Sequence, residues 1–194
     1  LVWEITENLD ELLEDLSLNA HSLARLSGMK SESHQKAFIS VRQLLQHAGF
    51  SDNELYYTPD GKPHLTTVAH LSISHATEFS AVAISPVPIG IDLEKQRSLV
   101  CKLGPRFCTS EYEFLDEDSA DYLKKLTVIW GVKESVFKIV NQVGISYMHH
   151  IHTLPFDIST GNAQARLDYE GVSTFFDVHY LDFKKHILVY LTYA

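Results

Sequence analysis

Two acids stand two residues apart in the segment IGIDLEKQ, Asp92 and Glu94. Around them Ile89, Ile91 and Leu93 alternate with Gly90, Asp92 and Glu94. A strand here turns its apolar residues to one face and both carboxylates to the other. At ~3.3 Å of rise per residue the two acids lie roughly 7 Å apart along the backbone. Two hard oxygen donors at that separation can converge on one Mg²⁺, which usually keeps waters and substrate phosphates as its other ligands. The simpler alternative is a solvated strand face with ordinary acids.

Three more segments carry groups able to do chemistry. In IWGVKESVFKI, Lys133, Glu134 and Lys138 are expected on the polar side of an otherwise apolar helix. Glu134 and Lys138 are spaced i, i+4, so an exposed salt bridge worth about 0.2–0.5 kcal/mol is one account. A third carboxylate for a metal, flanked by two cations for a phosphate, is the other. In LSISH, Leu71 and Ile73 face one way and Ser72 and Ser74 the other, with His75 at the strand end. A hydroxyl, an imidazole and turn N–H groups can together hold a phosphate, although a histidine there is often only a turn residue. Lys62 follows a turn glycine in GKP and by itself specifies nothing. HHIH (149–152) has the look of a metal cluster. No nearby cysteine or carboxylate completes a tetrahedral set, so a surface loop running into a strand is expected.

The elements that must position these groups are legible from periodicity. VWEI (2–5) alternates as a strand. Leucines in NLDELLEDL (8–16) recur at helical spacing behind Asn8, a candidate N-cap. A helix is expected over 33–47, with Ala37, Phe38, Val41, Leu44 and Leu45 on one face, ending at Gly49. TPDGKP (58–63) is turn chemistry. Three short strands follow over 71–97, and then the clearest helix, 122–140, with Leu123, Leu126, Ile129, Trp130, Phe137 and Val140 in register. FDIS (156–159), AQARLDY, TFFDVHYLDF and HILVYLTY read as closing strands. Helix followed by strand meander thus occurs twice. The expected fold is α+β: two similar halves, 1–97 and 98–194, each an antiparallel sheet covered by a helix. The halves are expected to pack as a pseudo-dimer, one cooperative unit with a ligand cleft between them.

Composition narrows the function classes. The chain has 194 residues, enough for one compact domain or two small halves, and a net charge of −9. That acidity, with no basic cluster, argues against nucleic acid as a partner. No apolar run approaches the ~20 residues of a membrane span. The opening LVWEITENLDELL lacks the basic-then-apolar order of a secretory signal. Cys101 and Cys108 lack metal or redox spacing and read as reduced thiols. A cytoplasmic monomer is the expectation.

Taken together, GKP, SISH, IGIDLE and WGVKESVFK, in this order, resemble the 4'-phosphopantetheinyl transferase superfamily, most of all its longer, single-chain, pseudo-dimeric type. The resemblance runs from about Lys62 to Lys138, and QKAFISVRQLL fits the family's upstream helix. It implies a holo-[carrier-protein] synthase type of enzyme, which moves phosphopantetheine from coenzyme A to a serine of an apo acyl or peptidyl carrier protein. It further implies that Asp92, Glu94 and Glu134 hold Mg²⁺, with Glu134 as ligand or base. Lys138 would lie near the diphosphate, with Lys133 beside it. Ser74 and His75 would meet coenzyme A phosphates, Lys62 the 3'-phosphate, and Arg42 a further phosphate, with Lys36 a less certain second cation. Glu111 fills the family's acidic position in RFCTSEY. Ser72, Ala76 and Val143 depart from the usual pattern. The carrier is expected to dock on residues 99–125, where Lys102, Arg106, Lys124 and Lys125 lie. A non-catalytic homologue that binds coenzyme A or a carrier protein is the alternative, and a nucleotide-diphosphate hydrolase a further one.

Overall fold

A computed structural model describes residues 1–194. It divides into two compact units, Leu1–Pro86 and Val87–Ala194.

The first unit runs β1 (Val2–Glu4), α1 (Leu9–Leu13), α2 (Ala20–Gly28), α3 (Glu32–His47), β2 (Leu55–Tyr57), β3 (Pro63–Leu65), β4 (His70–His75) and β5 (Phe79–Ser85). Asn8 caps α1 and exchanges a capping box with Glu11. Strands β1, β5 and β4 form an antiparallel sheet, with His75 opposite Ser80 at its end. Helix α3 supplies Val41, Leu44 and Leu45 to a core with Leu55, Leu65, Leu71 and Val82. Its other apolar side, Phe38 and Ile39, packs with Leu12 of α1. Helix α2 is absent from the periodicity reading. Its Leu23 is 52% exposed and Ser22 is its one buried residue, so little of it enters the core, though Leu26 packs with Leu12 and Phe38.

The second unit runs β6 (Ile89–Lys95), α4 (Leu99–Leu103), α5 (Tyr122–Val140), β7 (Ile151–Thr153), β8 (Asn162–Tyr169), β9 (Val172–Phe183) and β10 (His186–Tyr193). Its sheet has the antiparallel order β6-β10-β9-β8-β7. Helix α5 lies on one face. Val128, Val132, Val136 and Ile139 meet Ile187, Val189 and Leu191 of β10 and Phe176, Val178 and Tyr180 of β9. The architecture is α+β, with helix-covered antiparallel sheets in both units.

Two details differ from the sequence expectations. Strand β6 does not continue the sheet of β4 and β5. It pairs along its whole length with β10, nearly a hundred residues later, a partnership no local pattern announces. The expected strand over 156–159 is a turn. Asp157 accepts the backbone N–H of Ser159 (2.9 Å), and its carbonyl accepts that of Thr160 (3.1 Å), so the local backbone is bent by its own side chain. No helix is long and apolar enough to cross a membrane.

Candidate active site

Alternation along β6 settles which way the acids point. Asp92 and Glu94 lie opposite Val189 and Ile187 of β10, and those two line the core beneath α5. The carboxylates therefore face the helix and not open solvent, and Asp92 is only 4% exposed. Gly90 and Gly131 let strand and helix approach this closely. A Cβ on Gly90 would stand 2.8 Å from the carbonyl carbon of Ser135. One on Gly131 would stand 2.7 Å from Val189 Cγ2 and 3.7 Å from Asp92 Oδ2.

Helix α5 answers the acids with residues at i, i+4 and i+8. Trp130 donates its indole N–H to Glu94 Oε1 at 2.9 Å. Lys138 places its ammonium 2.8 Å from Asp92 Oδ1 and 2.8 Å from the carbonyl of Ile91. Glu134 lies between them, and Tyr147 from the loop after the helix stands beside it. Burial pushes the Glu94 carboxyl up to about 7, and the charge of Asp92 adds to it; Trp130 and Lys138 act in the opposite sense. Burial also raises Glu134, again with Asp92 as the next cause, against Lys138 and Tyr147. Asp92 thus disfavours the ionisation of Glu94 and Glu134, and Glu134 that of Glu94. Such a set, oxygen only and short of positive charge, suits a hard divalent cation. As the side chains stand, no three of them close a metal cage. Asp92 and Glu94 each have a protein donor instead.

Lys133 is not on the polar side of α5. Its side chain is fully buried, with Nζ 2.6 Å from Glu111 Oε1, 3.0 Å from the Tyr147 carbonyl, and bonded to the Ile151 carbonyl as well. Burial lowers its pKa, and Glu111 works against that. Glu111 also accepts the backbone N–H groups of Thr109 and Thr153, both at 3.0 Å. This is an internal ion pair that fastens two loops to the helix. It leaves Lys133 no reach toward a phosphate.

In the first unit, Ser74 is buried and His75 exposed at the end of β4. Lys62 is half-buried at the turn between β2 and β3, its pKa lowered by burial and partly restored by Asp60. Arg42 is 4% exposed. Its guanidinium sits 3.2 Å from Asp52 Oδ1 and 3.4 Å over the ring of Phe38. Asp52 in turn accepts Asn19 N–H (2.9 Å) and Ser22 Oγ (3.0 Å), which ties α2 to α3. Arg42 is therefore held inside its own unit by an ion pair, a ring and the Phe38 carbonyl (3.1 Å), although its Nε lacks a hydrogen-bond partner. Lys36 pairs with Glu32 one turn earlier at 3.1 Å. Of the cations expected to meet a carrier, Lys124 pairs with Asp182 and Lys125 with Asp121.

The HHIH segment holds no metal set. His150 accepts the backbone N–H of Ser146 (2.9 Å), and His152 contacts Ser110 (3.1 Å). Tyr147 escaped the sequence reading altogether. It lies in a loop with no periodicity, and only the folded structure brings it to Glu134. Trp130 was legible as an apolar helix residue but not as the donor to Glu94.

The strand and helix that carry this acid cluster lie inside a stretch with known relatives. The chain belongs to the 4'-phosphopantetheinyl transferase superfamily, whose model matches residues 88–190. It is 31% identical over 146 residues to the 4'-phosphopantetheinyl transferase gsp of Aneurinibacillus migulanus, covering 64% of this chain and 62% of that protein. It is 33% identical over 82 residues to the 4'-phosphopantetheinyl transferase Sfp of Bacillus subtilis (strain 168), covering 40% of this chain and 37% of that one. It is 27% identical over 147 residues to the 4'-phosphopantetheinyl transferase ffp of Bacillus subtilis, covering 68% and 63%. The chain therefore spans less than two thirds of the length of these relatives.

Proposed function

We propose that this protein is a Mg²⁺-dependent 4'-phosphopantetheinyl transferase of the holo-[carrier-protein] synthase type. It transfers the phosphopantetheine of coenzyme A to a serine of an apo acyl or peptidyl carrier protein. One observation carries the reading: Asp92, Glu94 and Glu134 gather under α5 with Lys138 against them, in a chain of this family. Asp92, Glu94 and Glu134 are the residues that would hold Mg²⁺. When bound, the ion would neutralise the diphosphate and template the attack.

This chain's own groups do the rest. The carrier serine Oγ bonds to the pantetheine-side phosphorus as the bond from that phosphorus to the departing oxygen breaks, and 3',5'-ADP leaves. The serine proton passes to Glu134, whose raised pKa suits a general base better than an ordinary glutamate. Lys138 must turn from Asp92 toward the leaving phosphate, where its charge stabilises the developing anion. Its 27% exposure leaves it that freedom. Lys62, Ser74 and His75 are the proposed phosphate contacts of the first unit. Arg42 and Lys133 are assigned to the scaffold, because both are enclosed by partners. A cytoplasmic monomer acting on a soluble carrier belongs to the same reading.

The test is intact-mass spectrometry of a panel of apo carrier proteins incubated with the protein, coenzyme A and Mg²⁺. A carrier that gains one phosphopantetheine is the expected result. Cleavage of coenzyme A without a carrier would point to a hydrolase. Coenzyme A binding with neither reaction on any carrier would point to a binding homologue.

A further inference from the structure

Tyr147 occupies a place at the acid cluster that family membership does not assign. Its main-chain carbonyl receives Lys133 Nζ at 3.0 Å, so the buried Lys133–Glu111 pair anchors this point of the loop to α5. Its ring stands edge-on to Trp130, with centroids 5.6 Å apart at 83°, and edge-on to Phe137, 5.3 Å apart at 85°. Backbone and ring are thus held from two directions, between Trp130 and Phe137, which flank Glu134 on α5. The neighbouring Trp130 hands its own N–H to Glu94.

We infer that Tyr147 is a positioning residue for the transfer, its hydroxyl donating to Glu134 and setting the direction of that carboxylate. An inward glutamate on a helix has several rotamers, and only some aim it at a shared ligand. A donor fixed by two ring contacts and a buried lysine selects among them without touching substrate. Placement of this kind matters because small misalignments of a reacting group cost large factors in rate. The inference rests on the transferase reading.

Tyr147→Phe tests it, since the ring contacts remain and only the hydroxyl goes. The expected result is a kcat lower by about tenfold or more, as for loss of one fixed donor at a reacting centre. KM for coenzyme A should stay within about twofold, with an unchanged melting temperature, the split expected when only the chemical step suffers. In the Glu134→Gln background the same change should add less than about twofold, because residues acting through one another are not additive. Wild-type kcat in Tyr147→Phe, or full additivity with Glu134→Gln, would overturn the inference. A wild-type protein that loads no carrier would overturn the transferase reading itself. In that case calorimetry with Mg²⁺ alone decides: weaker binding by Tyr147→Phe supports the positioning role, while equal affinity, or binding by neither protein, overturns it.

Discussion

Gly90→Ala probes the link between packing and chemistry most sharply. An added Cβ would lie 2.8 Å from the carbonyl carbon of Ser135 and 3.1 Å from Ile139 Cγ1, with the Ser135 oxygen nearer still. Ordinary contact begins at 3.4 Å, so backbone must yield by at least about 0.6 Å (3.4 less 2.8). Helix α5 is pinned to the sheet by Val128, Val132, Val136 and Ile139, so the displacement falls on β6. Overpacking of this size costs about 1–3 kcal/mol. For a chain of this length that is a melting temperature lower by about 2–12 °C, at ~2–4 °C per kcal/mol. Asp92 and Glu94 ride on β6 and Glu134 on α5, so the same shift pulls the cluster apart. A 1 Å misplacement can cost ~100-fold in rate, and about tenfold or more is expected here. Scanning calorimetry and single-turnover carrier loading read the two effects. Gly28→Ala, with nothing within 4 Å of the added atom, is the control and should leave both unchanged. A Gly90→Ala protein that melts and loads carrier like wild type would refute the close approach. One that melts lower but loads normally would refute its bearing on the acids.

Three further outcomes follow from the site. Lys133→Ala should cost about 3–5 kcal/mol in urea unfolding, because it strands the Glu111 carboxylate; a loss under 1 kcal/mol, or a rise in KM for coenzyme A at full stability, would return Lys133 to the phosphate. Glu94 makes stability fall as pH rises. Its folded pKa of about 7 exceeds the ordinary 4.5, so between those values the folded state holds a proton that the unfolded state has lost. Melting temperatures from pH 4.5 to 8 should decline less steeply for Glu94→Gln than for wild type; parallel curves would refute the assignment. Lys138→Ala should melt lower than wild type, since it leaves the buried Asp92 carboxylate without its cation, and should lose coenzyme A affinity and turnover together. Turnover equal to wild type would leave the Lys138–Asp92 pair a structural salt bridge.

The acids of β6 were legible because strand alternation is a strong local rule, and Glu134 and Lys138 because a helix fixes their spacing. What covers the acids was not legible. The alternation leaves open whether the polar face of β6 meets water or a helix, and that is settled only when Gly90 is seen against Ser135 and Gly131 against Val189 and Asp92. Lys133 was misplaced for a related reason. It follows Val132, and its partner Glu111 lies in a loop 22 residues earlier, so helical spacing alone cannot show that it is buried. The Arg42–Asp52 pair is equally hidden, since nothing near either residue in sequence reveals the other. The turn at 156–159 carried apolar alternation, but the Asp157 carboxylate accepting the Ser159 N–H outweighed it.

The central claim is that Asp92, with Glu94 and Glu134, serves phosphopantetheine transfer and not the fold. The direct measurement is the rate at which Asp92→Ala and wild type load the same apo carrier with coenzyme A and Mg²⁺, read by intact mass, with melting curves of both proteins alongside. The account predicts that the variant melts near wild type and leaves the carrier in its apo form, while wild type converts it to holo. An Asp92→Ala protein that melts like wild type and loads the carrier at the same rate would contradict it.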